Sequence, residues 1–194
     1  KEYGFGAPFF PCRFSDEWRE KNEAHLLTGA ELRQLHDMGF EIGNHTWSHP
    51  DMRTLSAEEA EQEIDRFDRF LADAGIPRPK SFAYPGGPFA ENIVPLLRSR
   101  GFAAARTTEQ RPWAKNADDQ MRIPAFPICK DDRLGFFTAL SHCREDNAVA
   151  LVFHGVPDTV HPWVNNSPEC FREFLEYLCN EGFRCVSMAE YLAE

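Results

Sequence analysis

Two histidines separated by three residues, His45 and His49, are the side chains of this sequence best suited to chemistry. Neutral imidazoles are good ligands for zinc and related divalent cations, and two of them on one short segment can hold the same ion. The spacing would place both rings on one face of a helix, but Pro50 disfavours the α-helical conformation at His49. We therefore predict a tight loop that follows a short strand and presents both rings. Two solvated loop histidines are the alternative.

Two other clusters of polar or glycine residues lie at the ends of apolar segments that are typical of strands. Tyr84-Pro85-Gly86-Gly87 ends the segment 81–84, and His154 follows the apolar residues 151–153. Because the carboxyl ends of parallel strands meet at one face of an α/β fold, the pattern predicts that these clusters share a pocket with the histidine pair. Each cluster also has an ordinary structural explanation, since Pro-Gly is a turn signal and a lone His is often a hydrogen-bonded structural residue.

The segments that must position these residues alternate between short apolar runs and helical patterns. Thr28-x-x-Glu31 and Ser56-x-x-Glu59 are capping boxes that begin helices, and repeated glycines before Phe or Ile end them. The predicted strands lie near residues 7–12, 40–43, 81–84, 102–106, 121–126, 149–153 and 183–187. The predicted helices lie near residues 29–38, 57–74, 92–100, 133–144, 168–181 and 188–193.

This alternation predicts a single α/β domain over residues 1–194, with parallel strands covered by helices. The number of strands in a chain of this length favours a barrel or a strongly curved sheet, and an open doubly wound sheet is the alternative.

The composition of the chain argues against several classes of partner. Its 194 residues carry a net charge of −10 without a block of Lys or Arg, so a phosphate backbone or an anionic membrane surface would be repelled. We therefore expect neither nucleic acid nor a membrane as a partner. No apolar run approaches the roughly 20 residues of a membrane span, and no segment resembles a signal peptide. The six cysteines form no C-x-x-C pair, which favours free thiols and a cytoplasmic location.

Taken together, these motifs resemble the polysaccharide deacetylase family, also called carbohydrate esterase family 4, whose fold is a deformed (β/α)₇ barrel. Residues 39–49, Gly-Phe-Glu-Ile-Gly-Asn-His-Thr-Trp-Ser-His, are similar to the zinc-binding motif of the family over their whole length. Residues 82–87 are similar to its groove-wall motif, and residues 151–154 to its Leu-x-His motif. The resemblance extends over nearly the whole chain.

The resemblance implies that His45 and His49 bind a divalent metal, usually zinc, and that His154 is the catalytic general acid that protonates the departing amine. The implied reaction removes N-acetyl groups from a carbohydrate such as chitin, peptidoglycan or an exopolysaccharide. The resemblance places Tyr84, Pro85 and Gly86 on the substrate groove. Trp47 lies in the histidine loop, where an exposed aromatic face could stack on a sugar ring, and packing beneath its own loop is the alternative. The family also allows an extracytoplasmic location, so the compartment stays open.

One departure from the family's pattern concerns its first motif. Thr-Phe-Asp-Asp, which supplies the catalytic base and a further metal ligand, does not occur in this sequence. Residues 1–3, followed by Gly4, are also typical of the last turn of a helix. We therefore expect the first strand and helix of the barrel to be absent from this segment, and the segment alone to be inactive or nearly so.

Two further departures concern the groove wall. Ala83 stands where the family has the Arg that pairs with the base, and Gly86 stands where it has a Tyr. The candidates to replace that positive charge are Arg106 and Arg122, and the candidates to orient His154 are Asp118 and Asp119.

Three functions are compatible with the sequence. The leading one is a metal-dependent carbohydrate N-deacetylase. The second is a non-catalytic relative that uses the pocket to bind glycans. The third is a hydrolase of another linear amide C–N bond, because metal, water and acid would serve a non-sugar amide equally well.

Overall fold

The computed structural model describes residues 2–193 as an α/β structure of short parallel strands and amphipathic helices. Lys1, part of the predicted terminal helical turn, and Glu194 lie outside the described residues. The strands are β1 (Pro8–Phe9), β2 (Glu41–Ile42), β3 (Ser81–Ala83), β4 (Ala104–Arg106), β5 (Phe126–Pro127) and β6 (Leu151–Val152). The helices are α1 (Asp16–Asn22), α2 (Gly29–Asp37), α3 (Ala57–Asp73), α4 (Val94–Ser99), α5 (Arg133–Leu140), α6 (Pro168–Asn180) and α7 (Met188–Ala193).

The strands pair in parallel, which confirms the predicted α/β class. β1 pairs with β2, β3 with β4, and β5 with β6. A parallel bridge between Asn44 and Phe82 joins the end of β2 to β3, so the first four strands form one continuous row. Within residues 2–193 the strands make two rows, one from β1 to β4 and one of β5 with β6. The predicted strands 40–43, 81–84 and 102–106 are confirmed in outline.

Helix α3 shows how the sequence determines these elements. Ser56 and Glu59 form the predicted capping box at its start, as Thr28 and Glu31 do for α2. The apolar stripe of α3, fully shielded from solvent, consists of Ala60, Ile64, Phe67 and Leu71. Burial of such a stripe, rather than helix propensity, supplies most of the stability of a helix of this kind.

The predicted strand at residues 183–187 is wrong, because its backbone donors serve the neighbouring helices. The Phe183 N–H donates to the Leu178 carbonyl at the end of α6, and the Ser187 N–H donates to the Glu190 carboxylate of α7. The predicted strand at 121–126 is also largely wrong, since a 3₁₀ turn occupies Gln120–Arg122.

Helix α1 was not predicted from the sequence, although it carries a helix start signal. Ser15 caps it through its side-chain oxygen, which accepts the Trp18 N–H.

The chain divides into two compact units. The first, called here the histidine-loop unit, contains Gly6–Thr107, Gln120–Arg122 and the segment from Val186 onward. The second contains Thr108–Asp119 and Ile123–Cys185, together with the first residues up to Phe5. The prediction of a single domain over residues 1–194 is not tested by this division into two units. No helix within residues 2–193 has the length and apolar character required to cross a membrane.

Each unit has its own apolar core. In the histidine-loop unit, one cluster lies between α2, β2 and α3 and contains Leu32, Ile42, Phe67, Leu71 and Ile76. A second cluster in that unit includes Ile64, Phe82, Tyr84, Ile93 and Leu97. In the other unit, Phe136 of α5 stacks on Phe174 of α6 with ring centres 4.0 Å apart. All six cysteines are free thiols.

Candidate metal centre

The histidine loop begins where β2 stops and Asn44 joins β3. The Asn44 N–H donates to the Ser81 carbonyl at 2.9 Å, and the Asn44 carbonyl accepts the Ala83 N–H at 2.9 Å. Gly43, just before it, lies against the Phe10 ring so closely that any Cβ would overlap the ring. Position 43 therefore favours glycine. The two Asn44 hydrogen bonds fix the point at which the chain leaves β2.

The side chain of Asn44 anchors the loop to α3. It is fully buried, and its Oδ1 accepts the Thr46 N–H at 2.8 Å. Its Nδ2 donates to the Ile64 carbonyl at 3.2 Å and to Asp68 Oδ1 at 2.8 Å. An amide side chain that both donates and accepts suits this position, because the groups around it include an N–H as well as oxygens.

His45 is nearly buried, with 8% of its surface exposed, and its orientation is set by β3. Its Nδ1 lies 2.7 Å from the Ala83 carbonyl oxygen. Since a carbonyl only accepts hydrogen bonds, Nδ1 carries a hydrogen, and in the neutral ring the lone pair is then on Nε2. This is the tautomer and the backbone contact expected of a histidine that binds a metal through Nε2.

The backbone of the histidine loop adopts an unfavourable conformation at Thr46 and at His49. Thr46 has φ +66° and His49 has φ +61°, both in the left-handed region that residues with a Cβ rarely adopt. The His49 N–H donates to Thr46 Oγ1 at 3.2 Å. The predicted tight loop, rather than a helix, is therefore what the structure contains.

The two imidazole rings fit a single metal ion. Their centres are 4.9 Å apart and their planes are inclined at 79°. A zinc–nitrogen bond of about 2.0–2.1 Å puts a ring centre about 3.2 Å from the ion, so two ligands near the tetrahedral angle have ring centres about 5 Å apart. Within residues 2–193, however, no group of three or more His, Cys, Asp or Glu side chains is placed to hold a metal ion. In this part of the chain the histidine pair is thus the candidate ligand set, and its binding of a metal stays a prediction.

The structure corrects the predicted role of Tyr84. Its side chain is fully buried, and its hydroxyl donates to the Met121 carbonyl at 3.0 Å. Tyr84 is therefore a core residue and does not offer its ring to a substrate. Beyond it, Pro85 is buried and Gly86 is exposed with φ +67°, so the predicted groove wall is a turn whose exposed backbone lies at Gly86.

Trp47 packs against helices of the histidine-loop unit. The Arg66 guanidinium lies 4.3 Å from its ring centre, and the Phe70 ring meets it edge-on at 6.0 Å. Its indole N–H is buried, with no hydrogen-bond partner among residues 2–193. Packing beneath its own loop was the alternative to stacking on a sugar, and contact with a substrate stays a prediction.

An aromatic residue near His49, Phe14, and its neighbour Trp18 were not predicted from the sequence. The Phe14 ring lies 5.5 Å from the His49 ring and 4.3 Å from the Trp18 ring. No pattern in the sequence marks Phe14, because it precedes a short helix and belongs to no periodic stripe.

The proposed replacements for the missing arginine differ in position. Arg106 of β4 is the register partner of Ala83, whose carbonyl binds His45. It is half-buried over the Phe10 ring at 5.6 Å, and this burial lowers the pKa of Arg106 to about 10. The Arg122 side chain is exposed, with its guanidinium 4.9 Å from the Phe89 ring. Arg106 is thus the better placed of the two.

The predicted general acid belongs to the second unit. His154 is exposed and follows β6, as the sequence predicts. Asp118, one of its predicted partners, bonds Arg111 at 2.8 Å, and this contact is the main reason that the pKa of Asp118 is lowered. The predicted proximity of His154 to the histidine pair stays a prediction, as does the predicted role of Asp119.

Comparison with known proteins identifies relatives of the chain. A family model described as polysaccharide deacetylase matches residues 1–105, just over half of the sequence. An uncharacterized 30.6 kDa protein encoded in the fumA 3′ region of Geobacillus stearothermophilus is 28% identical over 152 residues, which cover 68% of this chain and 54% of that protein. The chain therefore spans about half the length of this relative.

Solved structures of low sequence identity share the fold. A peptidoglycan N-acetylglucosamine deacetylase, Bc1960, has a TM-score of 0.66 at 18% identity, covering 97% of this chain and 76% of its own. BA3943 of Bacillus anthracis, described as a CE4 family pseudoenzyme, has a TM-score of 0.62 at 18% identity, covering 98% of this chain and 57% of its own.

Replacing the anchor of the histidine loop should destabilise the histidine-loop unit. Asn44→Ala leaves a buried N–H and buried oxygens without their partner, at about 1–3 kcal/mol for each unsatisfied group. We expect the free energy of unfolding in urea to fall by about 2–4 kcal/mol. Asn92→Ala, which removes one exposed contact to the Leu55 carbonyl, is the control and should cost less than about 1 kcal/mol. Equal losses in the two variants would contradict the anchoring role.

Proposed function

The chain belongs to the polysaccharide deacetylase family, and on that premise we propose that it hydrolyses N-acetyl groups on a carbohydrate in a metal-dependent reaction. The observation that carries this proposal is the pair of imidazoles, His45 and His49, whose ring separation fits one zinc-type ion. The deacetylase Bc1960 supports an N-acetylglucosamine polymer as the substrate class. We propose the deformed (β/α)₇ barrel of the family as the complete fold.

The chemistry of amide hydrolysis matches the residues assigned to it. The reaction needs a nucleophile, stabilisation of the developing oxyanion and a proton for a poor amine leaving group. A divalent ion, when bound, supplies an acidified water and polarises the acetyl carbonyl. His45 contributes its Nε2 lone pair, and its Nδ1–H bond to Ala83 keeps that tautomer fixed.

His154 is our candidate for the proton donor. An imidazolium holds a proton near neutral pH and can release it to the amine nitrogen as the C–N bond breaks. Its exposed position after a strand of the second unit leaves the ring accessible to a polymeric substrate.

Arg106 is our candidate for the positive charge that the family resemblance assigns to the position of Ala83. The two residues are register partners on adjacent strands, so a guanidinium on β4 replaces one on β3 at the same level. Within residues 2–193 no described carboxylate pairs with Arg106, and its burial lowers its pKa. A half-buried, uncompensated guanidinium favours the binding of an anion.

A glycan-binding protein without catalysis is the second candidate. It is favoured by the histidine pair's lack of a third protein ligand among residues 2–193, because catalytic zinc sites usually use three. The pseudoenzyme BA3943 has the same fold. Hydrolysis of a non-sugar amide is a third possibility that the choice of substrate tests.

The first test measures acetate released from chitin oligomers, peptidoglycan fragments and small amides. Residues 1–194 alone should show little or no turnover, so the protein assayed also contains the Thr-Phe-Asp-Asp motif of the family. From it we expect turnover on a sugar polymer at saturating zinc, and its loss with a chelator, in His45→Ala and in His49→Ala. His36→Ala, which changes a histidine of α2, should match the unmodified protein. Turnover that survives both the chelator and His45→Ala would contradict the proposal. Glycan binding without turnover would favour the non-catalytic candidate.

The second test separates proton delivery from metal binding. His154→Ala should lower kcat by about 10²- to 10⁴-fold, the usual contribution of a general acid, while the metal content stays unchanged. His142→Ala, in the same unit, is the control and should retain activity. Metal content is measured by mass spectrometry of the purified protein. If His154→Ala loses its metal, His154 is a ligand and not the acid.

A further inference from the structure

A carboxylate on α3 holds the part of the histidine loop between its two imidazoles. Glu63 Oε2 accepts the backbone N–H groups of Trp47 at 3.0 Å and Ser48 at 2.7 Å. Its Oε1 accepts the Ser48 hydroxyl at 2.8 Å. One side chain therefore takes three donors from two consecutive residues, immediately before His49.

This arrangement supports a backbone that would not hold its shape without external contacts. Left-handed φ values at Thr46 and His49 are unfavourable for residues with a Cβ, and such conformations persist when surrounding contacts over-determine them. Inside the loop, Asn44 Oδ1 accepts the Thr46 N–H and Thr46 Oγ1 accepts the His49 N–H, both from neutral groups. Hydrogen bonds to an ionised acceptor are stronger than neutral ones, so Glu63 is the stronger support.

Other acidic residues of α3 have different tasks. Glu59 completes the capping box at the start of the helix, and Glu61 pairs with Arg100. Asp68 accepts the Asn44 amide and pairs with Arg78. Glu63 differs because its partners lie between the two imidazoles.

We propose that Glu63 is a positioning residue that sets the His49 ring relative to the His45 ring and thereby determines the affinity for the metal ion. It acts through the loop backbone and not by contact with the ion. The proposal rests on the metal-dependent function proposed above, because a loop that holds no ion would need no such precision.

The experiment is a calorimetric titration of the metal-free protein with Zn²⁺. Glu63→Ala should weaken zinc binding by about 10- to 100-fold, the usual loss when a residue that supports a metal ligand is removed. Glu63→Gln should restore most of the affinity, since its carbonyl oxygen can accept the two N–H groups and its amide can donate to the Ser48 hydroxyl. Glu58→Ala, an exposed position on the first turn of the same helix, is the matched control and should bind like the unmodified protein.

A second readout distinguishes positioning from general loss of structure. With Co²⁺ in place of Zn²⁺, the ligand-field absorption of Glu63→Ala should change, while its circular dichroism spectrum stays native. If Glu63→Ala is too unstable to titrate, Ser48→Ala carries the test, and a smaller loss of zinc affinity is expected from removal of one of the three bonds.

Failure of this inference can be told apart from failure of the proposed function. If the unmodified protein binds zinc through His45 and His49 and Glu63→Ala binds it equally well, the positioning role is overturned and the metal site stands. If Glu63→Gln is as weak as Glu63→Ala, negative charge rather than hydrogen bonding is responsible, which also overturns the role. If the unmodified protein binds no zinc, both proposals fall.

Discussion

The hydrogen bonds between Asn44 and β3 are the constraint on which the histidine site depends. They fix the point at which the chain leaves β2, and His45 is the residue directly after Asn44. The His45 ring then meets the Ala83 carbonyl of the same strand. A shift of one residue in this register would turn the His45 side chain to the opposite face, because side chains alternate along a strand.

The loop itself is a balance of comparable energies. Two left-handed residues cost about 1–3 kcal/mol each, and three hydrogen bonds to the Glu63 carboxylate return about 1.5–3 kcal/mol each. The bonds can therefore offset the cost of the two left-handed residues. Such a loop can present two rings at a set separation without an ion already bound, which is the preorganisation that a metal site requires.

Local patterns in the sequence were sufficient to predict the loop and several helices, because the determinants lie within a few residues of each other. The histidine spacing with Pro50, and the capping box of Ser56 with Glu59, are examples. Residues whose roles depend on distant partners were not predictable in this way. Glu63 is one of several acidic residues in α3, and nothing local distinguishes it from Glu58. The groove-wall resemblance of Tyr84 gave no sign that its hydroxyl would bond a core carbonyl 37 residues away.

The central claim is that His45 and His49 hold one ion, and an anomalous-difference map from zinc-loaded crystals tests it most directly. We expect a single peak about 2.0–2.1 Å from His45 Nε2 and from a ring nitrogen of His49. Water or substrate would complete the coordination. Rings that diverge beyond the reach of one ion, or a peak elsewhere at saturating zinc, would contradict a shared ion.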